Sequence, residues 1–411
     1  MNSALLPLSG VRILDLSRVL AGPWSTQMLA DLGADVIKVE RPGRGDDTRA
    51  WGPPFLREAD GQDSAESAYF LCANRNKRSI TVDLAHPQGQ ALVRELAARA
   101  DILVENFKVG DLARYGLAPA QLQADFPALI VCSITGFGQT GPWAERPGYD
   151  FVVQGLGGLM SVTGAADGEA GAGPQKVGVA VADLFTGMNA SVAMLAALRH
   201  RDRTGQGQHI DLALLDSQLA MLANLGSQSL CGGAQPTRQG NAHPSIAPYQ
   251  SYAAADGHLI IAVGNDRQFE RLAQTLNQPQ LAQDPRYRTN SARVAHRAEL
   301  AEAIQQVLQQ STRAHWLTQL EIAGVPCAPI ETVEAALASP QAEARGMVVQ
   351  LDHPLEPALR QVGNPIKFSG TPIQYRLAPP RLGQHSDEIL KEWLETSPEA
   401  IAEWRRSGAL G

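Results

Sequence analysis

Hydrophobic and polar positions along the first part of the chain alternate between short apolar runs and helical spacing. Val11–Ser17 is a short apolar run, Trp24–Leu32 has apolar residues at helical spacing, and Asp35–Val39 is a second apolar run that follows the helix-ending Gly33. This order predicts a strand–helix–strand unit. Further strands and helices alternate at 80–82, 87–99, 101–104, 110–115 and 128–134. Such alternation predicts an α/β fold, Rossmann-like, with a mostly parallel sheet and helices on both faces.

The pattern changes after residue 224. A long helix at 184–200, a strand at 209–214 and a helix at 216–223 complete the predicted large domain, and a loop rich in Gly, Gln and Pro follows. The strands and helices predicted between 252 and 322 form a smaller α+β unit, and a final helix is predicted at 386–394. We therefore expect a large domain at 1–224 and 331–411, interrupted by a small domain at 225–330.

Composition limits the class of protein. The chain has 411 residues, of which 44% are hydrophobic and 19% are charged, which is typical of globular proteins and excludes disordered, fibrous or coiled-coil chains. The formal net charge is −7, so the whole chain does not have the charge of a nucleic-acid-binding protein. An anionic ligand must therefore be held by a local basic cluster.

Four widely separated cysteines without a CxxC pair disfavour a zinc site or disulfides and are consistent with a reducing compartment. The N-terminus lacks the basic region of a signal peptide. By this interpretation no charge-poor apolar run approaches the roughly 18 residues needed to span a bilayer, so we expect no membrane contact and a cytoplasmic protein.

A glycine-rich segment, Gly136–Gly141, matches GxGxxG after a predicted strand. Dinucleotide binding requires a helix to begin there and an acidic residue about 20 positions later. Pro142 and Pro147 interrupt the sequence that follows, and the next acid of interest, Asp150, comes too early. The segment is better interpreted as a tight turn that brings backbone close to a ligand.

Two basic segments adjoin predicted strands. Val39–Gly45 follows one strand and carries Arg41 and Arg44, and Asn74–Arg78 precedes another. Two such loops on the rim of one sheet could hold a phosphate-like anion, although each alone could be an ordinary solvated loop.

Asp183 lies between an apolar run, 177–182, and the predicted helix that begins at Leu184. On spacing alone the favoured interpretation is a helix N-cap. The alternative is a carboxylate nucleophile at the positive end of a helix. His209 lies in a predicted strand and is interpreted as structural. His243 and His385 could contact substrate, although solvent exposure is the more common situation for such histidines. HExxH, GxSxG and Walker motifs are absent from the sequence, which leaves zinc proteases, serine hydrolases and P-loop enzymes without support.

Several short motifs occur together in one order. They are Leu8–Leu16, Leu20–Pro23, Gly33–Arg41, Asn76–Ser79, Val104–Phe107, Ile134–Gly138, Val181–Asp183 and Gly324–Pro326. Across nearly the whole chain they resemble the class III CoA-transferase family (CaiB/BaiF type). Three further segments, Arg49–Phe55, Asn241–Ser245 and Pro248–Gln250, resemble the succinyl-CoA:glutarate branch, and itaconate-like dicarboxylates fit a similar pattern.

The resemblance implies an interlocked homodimer with a Rossmann-like large domain and an inserted small domain. It also implies that Asp183 is the catalytic nucleophile, which reverses the preference for an N-cap. The implied chemistry passes through an aspartyl-CoA thioester, with a CoA thioester as substrate, no permanently bound cofactor and no metal.

By the same resemblance, several residues would bind CoA. Leu20 and Ala21 would line its adenine side, and Tyr149 and Asp150 would border the thioester. Its phosphates and ribose would be held by Arg41, Asn74, Arg75, Asn76, Lys77, Asn106, Phe107, Lys108 and Arg114. The distal carboxylate of a dicarboxylate acceptor needs a cation, because a buried unpaired charge is unfavourable. Arg18, Arg49 and His243 are the candidates.

Three other interpretations stay open. A 2-methylacyl-CoA racemase of this family carries a catalytic His where this chain has Tyr149, and a phenol with a pKa of about 10 is a poor base. A formyl-CoA:oxalate-type transferase has a glycine-run loop that 238–246 lacks. A silent CoA-binding subunit would not need Asp183.

Overall fold

The computed structural model describes residues 5–411. The chain divides into two compact units, each described by itself below. The large unit comprises 5–159, 177–231 and 340–411, and the small unit comprises 160–176 and 232–339. The sequence predicted 225–330 for the small domain and did not predict that 160–176 groups with it.

The first eight strands belong to the large unit. They are β1 (Arg12–Asp15), β2 (Asp35–Glu40), β3 (Phe55–Arg57), β4 (Asp63–Ser67), β5 (Lys77–Thr81), β6 (Ile102–Glu105), β7 (Ile130–Thr135) and β8 (His209–Ala213). Six of them form one sheet in the order β5-β2-β1-β6-β7-β8, and every neighbouring pair is parallel. The predicted parallel α/β sheet is confirmed. The order reverses between β1 and β6, which is the switch point where doubly wound sheets bind ligands. Strands β3 and β4 form a separate antiparallel hairpin that the sequence did not predict.

In the described part of the chain, eight helices of the large unit accompany these strands, and the short α6 (Leu159–Val162), named with them, lies mostly in segment 160–176 of the small unit. They are α1 (Ala21–Asp31), α2 (Ala68–Leu71), α3 (Pro87–Ala97), α4 (Pro119–Asp125), α5 (Asp150–Leu156), α6 (Leu159–Val162), α7 (Val181–Thr204), α8 (Leu214–Met221) and α9 (Ala223–Leu230), with 3-10 turns at Asp47–Ala50 and Asp111–Tyr115. Alternate strand residues face opposite sides of the sheet. Ile13 and Ile102 pack in one buried cluster with α1 and α7, and Leu14 and Leu103 pack in the other with α3.

The small unit has an antiparallel sheet of three strands. These are β9 (Tyr249–Ala254), β10 (Gly257–Ala262) and β11 (Cys327–Pro329), in the order β11-β10-β9. Its helices are α10 (Asp266–Thr275), α11 (Gln280–Gln283), α12 (Asn290–Ala295), α13 (Arg297–Leu308), α14 (Arg313–Ile322) and α15 (Val333–Leu337). Apolar side chains such as Leu259, Phe269 and Ile304 form its own core.

The C-terminal part returns to the large unit. It contains α16 (Pro340–Ala344), an antiparallel pair of strands, β12 (Val348–His353) and β13 (Glu356–Val362), and the helices α17 (Ser386–Leu394) and α18 (Pro398–Ser407). Ile389 and Trp393 of α17 pack into the cluster below β5.

Helix α7 corrects one expectation. Its 24 residues include a window apolar enough to cross a membrane, although the sequence was interpreted as having no such run. One such helix is weak support for a membrane span, because the core helices of globular proteins meet the same criterion. Here Ala190, Met194 and Ala197 are fully buried against the sheet and α1.

Candidate active site

A cavity of about 490 Å³ lies in the large unit where β1, β6, β7 and β8 end. Residues that directly follow these strands line it, including Gly136 after β7 and Leu214 after β8. This is the position that the switch point predicts for a ligand. Eight of the residues predicted from the sequence line it: Arg18, Leu20, Ala21, Asn106, Phe107, Lys108, Tyr149 and Asp183.

Asp183 is the third residue of α7 and contributes its side chain to the cavity wall. The N-cap position is Ala180, without any side-chain cap, so the N-cap interpretation of Asp183 is wrong. Burial, with a smaller contribution from the charge of Asp150, raises the pKa of Asp183 to about 7. A carboxylate held in this way is less solvated and more basic than an exposed one, and both properties favour attack on an electrophilic carbonyl.

Asp150 begins α5 and fixes the start of α7. Its Oδ1 accepts a hydrogen bond from the amide N of Ala182 at 2.8 Å, and its Oδ2 accepts one from Gln154 Nε2 at 2.7 Å. The neighbouring Tyr149 is 63% exposed and lines the cavity. Asp150 therefore acts on Asp183 through charge and backbone placement.

Tyr69 is a neighbour of Asp183 that the sequence did not reveal. Burial, together with the charge of Asp183, raises the pKa of Tyr69 to about 12, so its phenol stays protonated. The ring packs edge-on against Trp51 with centroids 5.3 Å apart, and Trp51 lines the cavity. No motif distinguishes Tyr69 from any half-buried tyrosine, and the only signal was its closeness to the basic segment 74–78.

Asn106 ties together the loops on either side of the switch point. Its Oδ1 accepts a hydrogen bond from the Arg18 amide N at 2.9 Å, and its Nδ2 donates to the Arg18 carbonyl oxygen at 2.7 Å. The Arg18 guanidinium pairs with Asp47 at 2.8 Å and lies 5.8 Å from the Phe107 ring centroid. We call this reciprocal contact the Asn106 bridge.

A second cavity, of about 390 Å³, adjoins the first beyond β1 and β2. Arg18 and Phe107 line both cavities, and Arg41 lines the second. Arg114 is exposed, pairs with Asp111 and lines neither cavity.

The basic segment 74–78 is buried, contrary to the interpretation of a rim loop. Lys77 Nζ lies 3.0 Å from Asp15, and Arg75 lies 2.6 Å from Asp31, which Asn76 also contacts at 2.8 Å. Asn74 accepts from Lys77 Nζ at 2.9 Å. Their polar groups are occupied inside the protein, so the geometry does not support phosphate contacts by Asn74, Arg75, Asn76 or Lys77.

Arg49 is also buried, with 2% of its surface exposed. Its guanidinium forms ion pairs with Glu40 and Glu66, both at 2.7 Å, and stacks on Phe70 at 3.6 Å. The geometry gives Arg49 a structural role and does not support its prediction as a contact for the acceptor. His243 belongs to the small unit, where its Nδ1 accepts from the Ser245 amide N.

The glycine-rich segment is a bent loop in which Gly136 lies close to the backbone of a second loop. A side chain at Gly136 would begin only 2.5 Å from the Gly148 Cα, so two cavity loops touch backbone to backbone there. The next helix begins only at Asp150, which excludes the arrangement of a dinucleotide-binding turn. Among residues 5–411 no group of three or more His, Cys, Asp or Glu side chains could hold a metal ion.

A family model described as CoA-transferase family III matches residues 8–386. The chain belongs to CoA-transferase family III. The resemblance carried by the sequence motifs is therefore confirmed, and this family III protein is a CoA-transferase.

Named relatives are similar over almost the full length of this family III transferase. It is 52% identical over 390 residues to a succinate–glutarate CoA-transferase of Agrobacterium fabrum, covering 95% of this chain and 96% of that one. It is 44% identical over 404 residues to a succinyl-CoA:glutarate CoA-transferase of Mus musculus, covering 98% and 90%. The crystal structure of a CAIB/BAIF family protein from Brucella suis matches with a TM-score of 0.85 and 49% identity, covering 94% and 99%.

Proposed function

We propose that this chain transfers CoA from succinyl-CoA to glutarate, with Asp183 as the nucleophile. The observation that carries the proposal is a partly buried carboxylate of raised pKa in the wall of a cavity at the switch point. The relatives at 52% and 44% identity, both named for succinate or succinyl-CoA and glutarate, support the choice of substrates.

The reaction divides into four balanced acyl transfers. Asp183 attacks the donor thioester and forms a mixed anhydride as the CoA thiolate leaves. The thiolate attacks the aspartyl carbonyl, releases succinate and leaves an aspartyl-CoA thioester. Glutarate attacks that thioester and displaces the thiolate, which then attacks the glutaryl carbonyl and regenerates the Asp183 carboxylate. No proton is gained or lost overall, and the four steps replace the slow direct exchange of CoA between a free thioester and a free carboxylate with acyl transfers inside the enzyme complex.

CoA spans both cavities in this proposal. Its nucleotide end occupies the second cavity near Arg41, and its pantetheine arm crosses Phe107 and Arg18 toward Asp183. Phosphate groups favour guanidinium partners, which agrees with the exposed position of Arg41. The predicted contacts of Asn106 and Lys108 with CoA stay part of this proposal.

Among the three candidates for binding the distal carboxylate of the acceptor, Arg18 is the one that lines the cavity. Replacing it with Ala is expected to raise the KM for glutarate about tenfold, because a charge-assisted hydrogen bond is lost. Glutarate monoamide, which lacks the distal charge, is expected to show no difference between the two proteins. An equal increase for both acceptors would remove Arg18 from this role.

We also propose that the chain forms a homodimer, interlocked as in the family it resembles. Exposed apolar side chains on the adjoining helices α5 and α7 support this: Phe151, Val152, Leu156, Met188, Val192 and Leu195. An apolar face of this kind is typical of a protein interface. Val192→Asp is expected to shift the sedimentation mass toward that of a monomer, and an unchanged mass would exclude this face from the interface.

Trapping of the intermediate tests the transfer itself. After mixing with succinyl-CoA, intact-protein mass should increase by one CoA less water, and hydroxylamine should convert Asp183 to its hydroxamate. Asp183→Asn should stay unmodified, and Asp202→Asn, at the other end of α7, should react like the natural protein. An unmodified Asp183 with exchange of the α-proton of a 2-methylacyl-CoA would instead establish the racemase alternative. Modification of Asp183 with oxalate as the preferred acceptor would establish the oxalate alternative.

A further inference from the structure

Glu105 is a buried carboxylate that the proposed reaction does not use. It ends β6 beside the switch point and is 4% exposed. Its Oε2 accepts a hydrogen bond from the Phe107 amide N at 2.8 Å, and its side chain is also hydrogen-bonded to Ser133 of β7. No cation pairs with it within residues 5–411, and burial raises its pKa to about 7.

The hydrogen bonds continue beyond Ser133. His209 Nε2 of β8 lies 2.9 Å from the Ser133 hydroxyl oxygen. A hydroxyl group has one proton. When Ser133 donates that proton to an ionised Glu105, the Ser133 oxygen accepts from the N–H of the neutral His209 tautomer that carries its proton on Nε2. A protonated Glu105 has only one carbonyl oxygen, so it cannot accept from both the Phe107 amide and Ser133 as strongly as the carboxylate does. The ionised state therefore fixes both of the donors that face Glu105.

The segment that Glu105 holds is the wall shared by the two cavities. Phe107 lines both cavities, and its ring contacts Tyr115 with centroids 6.3 Å apart. Asn106, directly after Glu105, makes the bridge to Arg18. A shift of the Phe107 amide would therefore move the surface over which CoA passes in the proposed function.

We propose that Glu105 is a positioning residue whose carboxylate holds segment 106–108 in place and thereby sets the affinity for CoA. The inference rests on the proposed placement of CoA. An ionised carboxylate makes a stronger hydrogen bond to an amide than a neutral acid or amide does. The affinity for CoA should therefore be greater at a pH where Glu105 is ionised.

The effect of Glu105 ionisation on CoA binding has to be distinguished from that of other titratable groups nearby. They are Cys132 on β7, His209 on β8, Arg18 after β1, and Lys108, Asp111 and Tyr115 after β6. Burial, with a smaller contribution from the charge of Glu105, raises the pKa of Cys132. Burial lowers the pKa of His209, so both side chains are neutral above pH 7. Asp183 titrates in the same range as Glu105, so binding is measured with Asp183 replaced by Asn in every protein.

The test is the Kd of free CoA for the full-length protein at pH 6.0 and pH 8.0, by calorimetry. Glu105→Gln in the Asp183→Asn background is expected to weaken binding about fivefold at pH 8.0 and to match its parent at pH 6.0. Glu95→Gln, an exposed change on α3, is the matched control and should have no effect at either pH. With Asp183 intact, Glu105→Gln should raise the KM for succinyl-CoA and leave kcat within twofold.

Equal affinities of the two proteins at pH 8.0 would overturn the role of Glu105 and leave the proposed function standing. A loss of affinity of the same size at both pH values would also overturn it, because the charge would then have no part. Absence of CoA binding by the Asp183→Asn parent would overturn the proposed function together with this inference.

Discussion

Two groups of buried acids in the large unit have opposite electrostatics. Asp15 and Glu40 end β1 and β2, and burial alone would raise their pKa values. Lys77 and Lys38 near Asp15, and Arg49 and Lys38 near Glu40, instead lower both pKa values below their ordinary range. Burial raises the pKa of Asp183, in the cavity wall, and of Glu105, at the end of β6, to about 7 without a cation to oppose it.

Asp15 and Glu40 each lie near two cations, whereas no cation within residues 5–411 offsets the burial of Asp183 or Glu105. Glu66 lies between these cases, because burial raises its pKa to about 7 although Arg49 pairs with it. A buried acid near two cations is held as a charge, whereas a buried acid without a cation retains a basic oxygen and a variable proton. The same edge of the sheet therefore carries charge-paired acids at the ends of β1 and β2 and an acid without a cation at the end of β6. Raised pKa values of this second kind are typical of functional sites.

The largest effect should come from removing the reactive acid. Asp183→Asn is expected to lower kcat by about 10⁴-fold or more, since the covalent route is lost. The measurement is steady-state transfer from succinyl-CoA to glutarate, with Asp202→Asn as the control. Retention of a tenth of the activity would contradict the assignment.

Breaking a buried ion pair should lower the stability of the fold without changing the reaction. Lys77→Met leaves the buried Asp15 without its closest cation, and we expect a loss of about 3–5 kcal/mol in the free energy of unfolding. Urea denaturation at pH 7.5 measures it. The double change Asp15→Asn with Lys77→Met should regain part of the loss, and a double variant no more stable than the single one would exclude this pair as the cause.

Removing the unpaired acid should instead stabilise the fold. The pKa of Asp183 is about 7 when folded and its ordinary value is 3.8, so its ionisation opposes folding progressively as the pH rises from about 4 to 7. Asp183→Asn is therefore expected to gain about 2–4 kcal/mol at pH 8 and nothing at pH 3.5. Denaturation of both proteins at the two pH values measures this gain. An equal gain in the free energy of unfolding at both pH values would show that the ionisation of Asp183 is not its cause.

The smallest effect belongs to an exposed pair. Asp47→Asn removes the partner of Arg18, whose side chain is 48% exposed, and the free energy of unfolding should change by less than about 1 kcal/mol. Thermal unfolding in low and high salt measures it. A loss of unfolding free energy as large as that of Lys77→Met would show that burial does not determine how much an ion pair contributes to stability.

The sequence predicted most of the sheet because each parallel strand is a short apolar run bounded by turn residues, and such signals are local. It also located Asp183, whose motif is specific. It did not reveal that Asn74–Arg78 is buried, because the acid that Arg75 pairs with, Asp31, lies 44 positions earlier. Arg49 was misinterpreted because its partners also lie elsewhere in the sequence: Glu40 on β2 and Glu66 on β4 come next to it only in the folded protein. A basic segment has the same composition whether its partners are carboxylates of the same chain or phosphates of a ligand.

The Asn106 bridge has a consequence for how this site can change. It contacts Arg18 only through the backbone N–H and C=O, so it would form with nearly any residue at position 18. The framework of the crevice is thus separate from the side chain that projects into it. Acceptor preference could then be altered at position 18, by evolution or in the laboratory, without weakening the contact that keeps the two loops together.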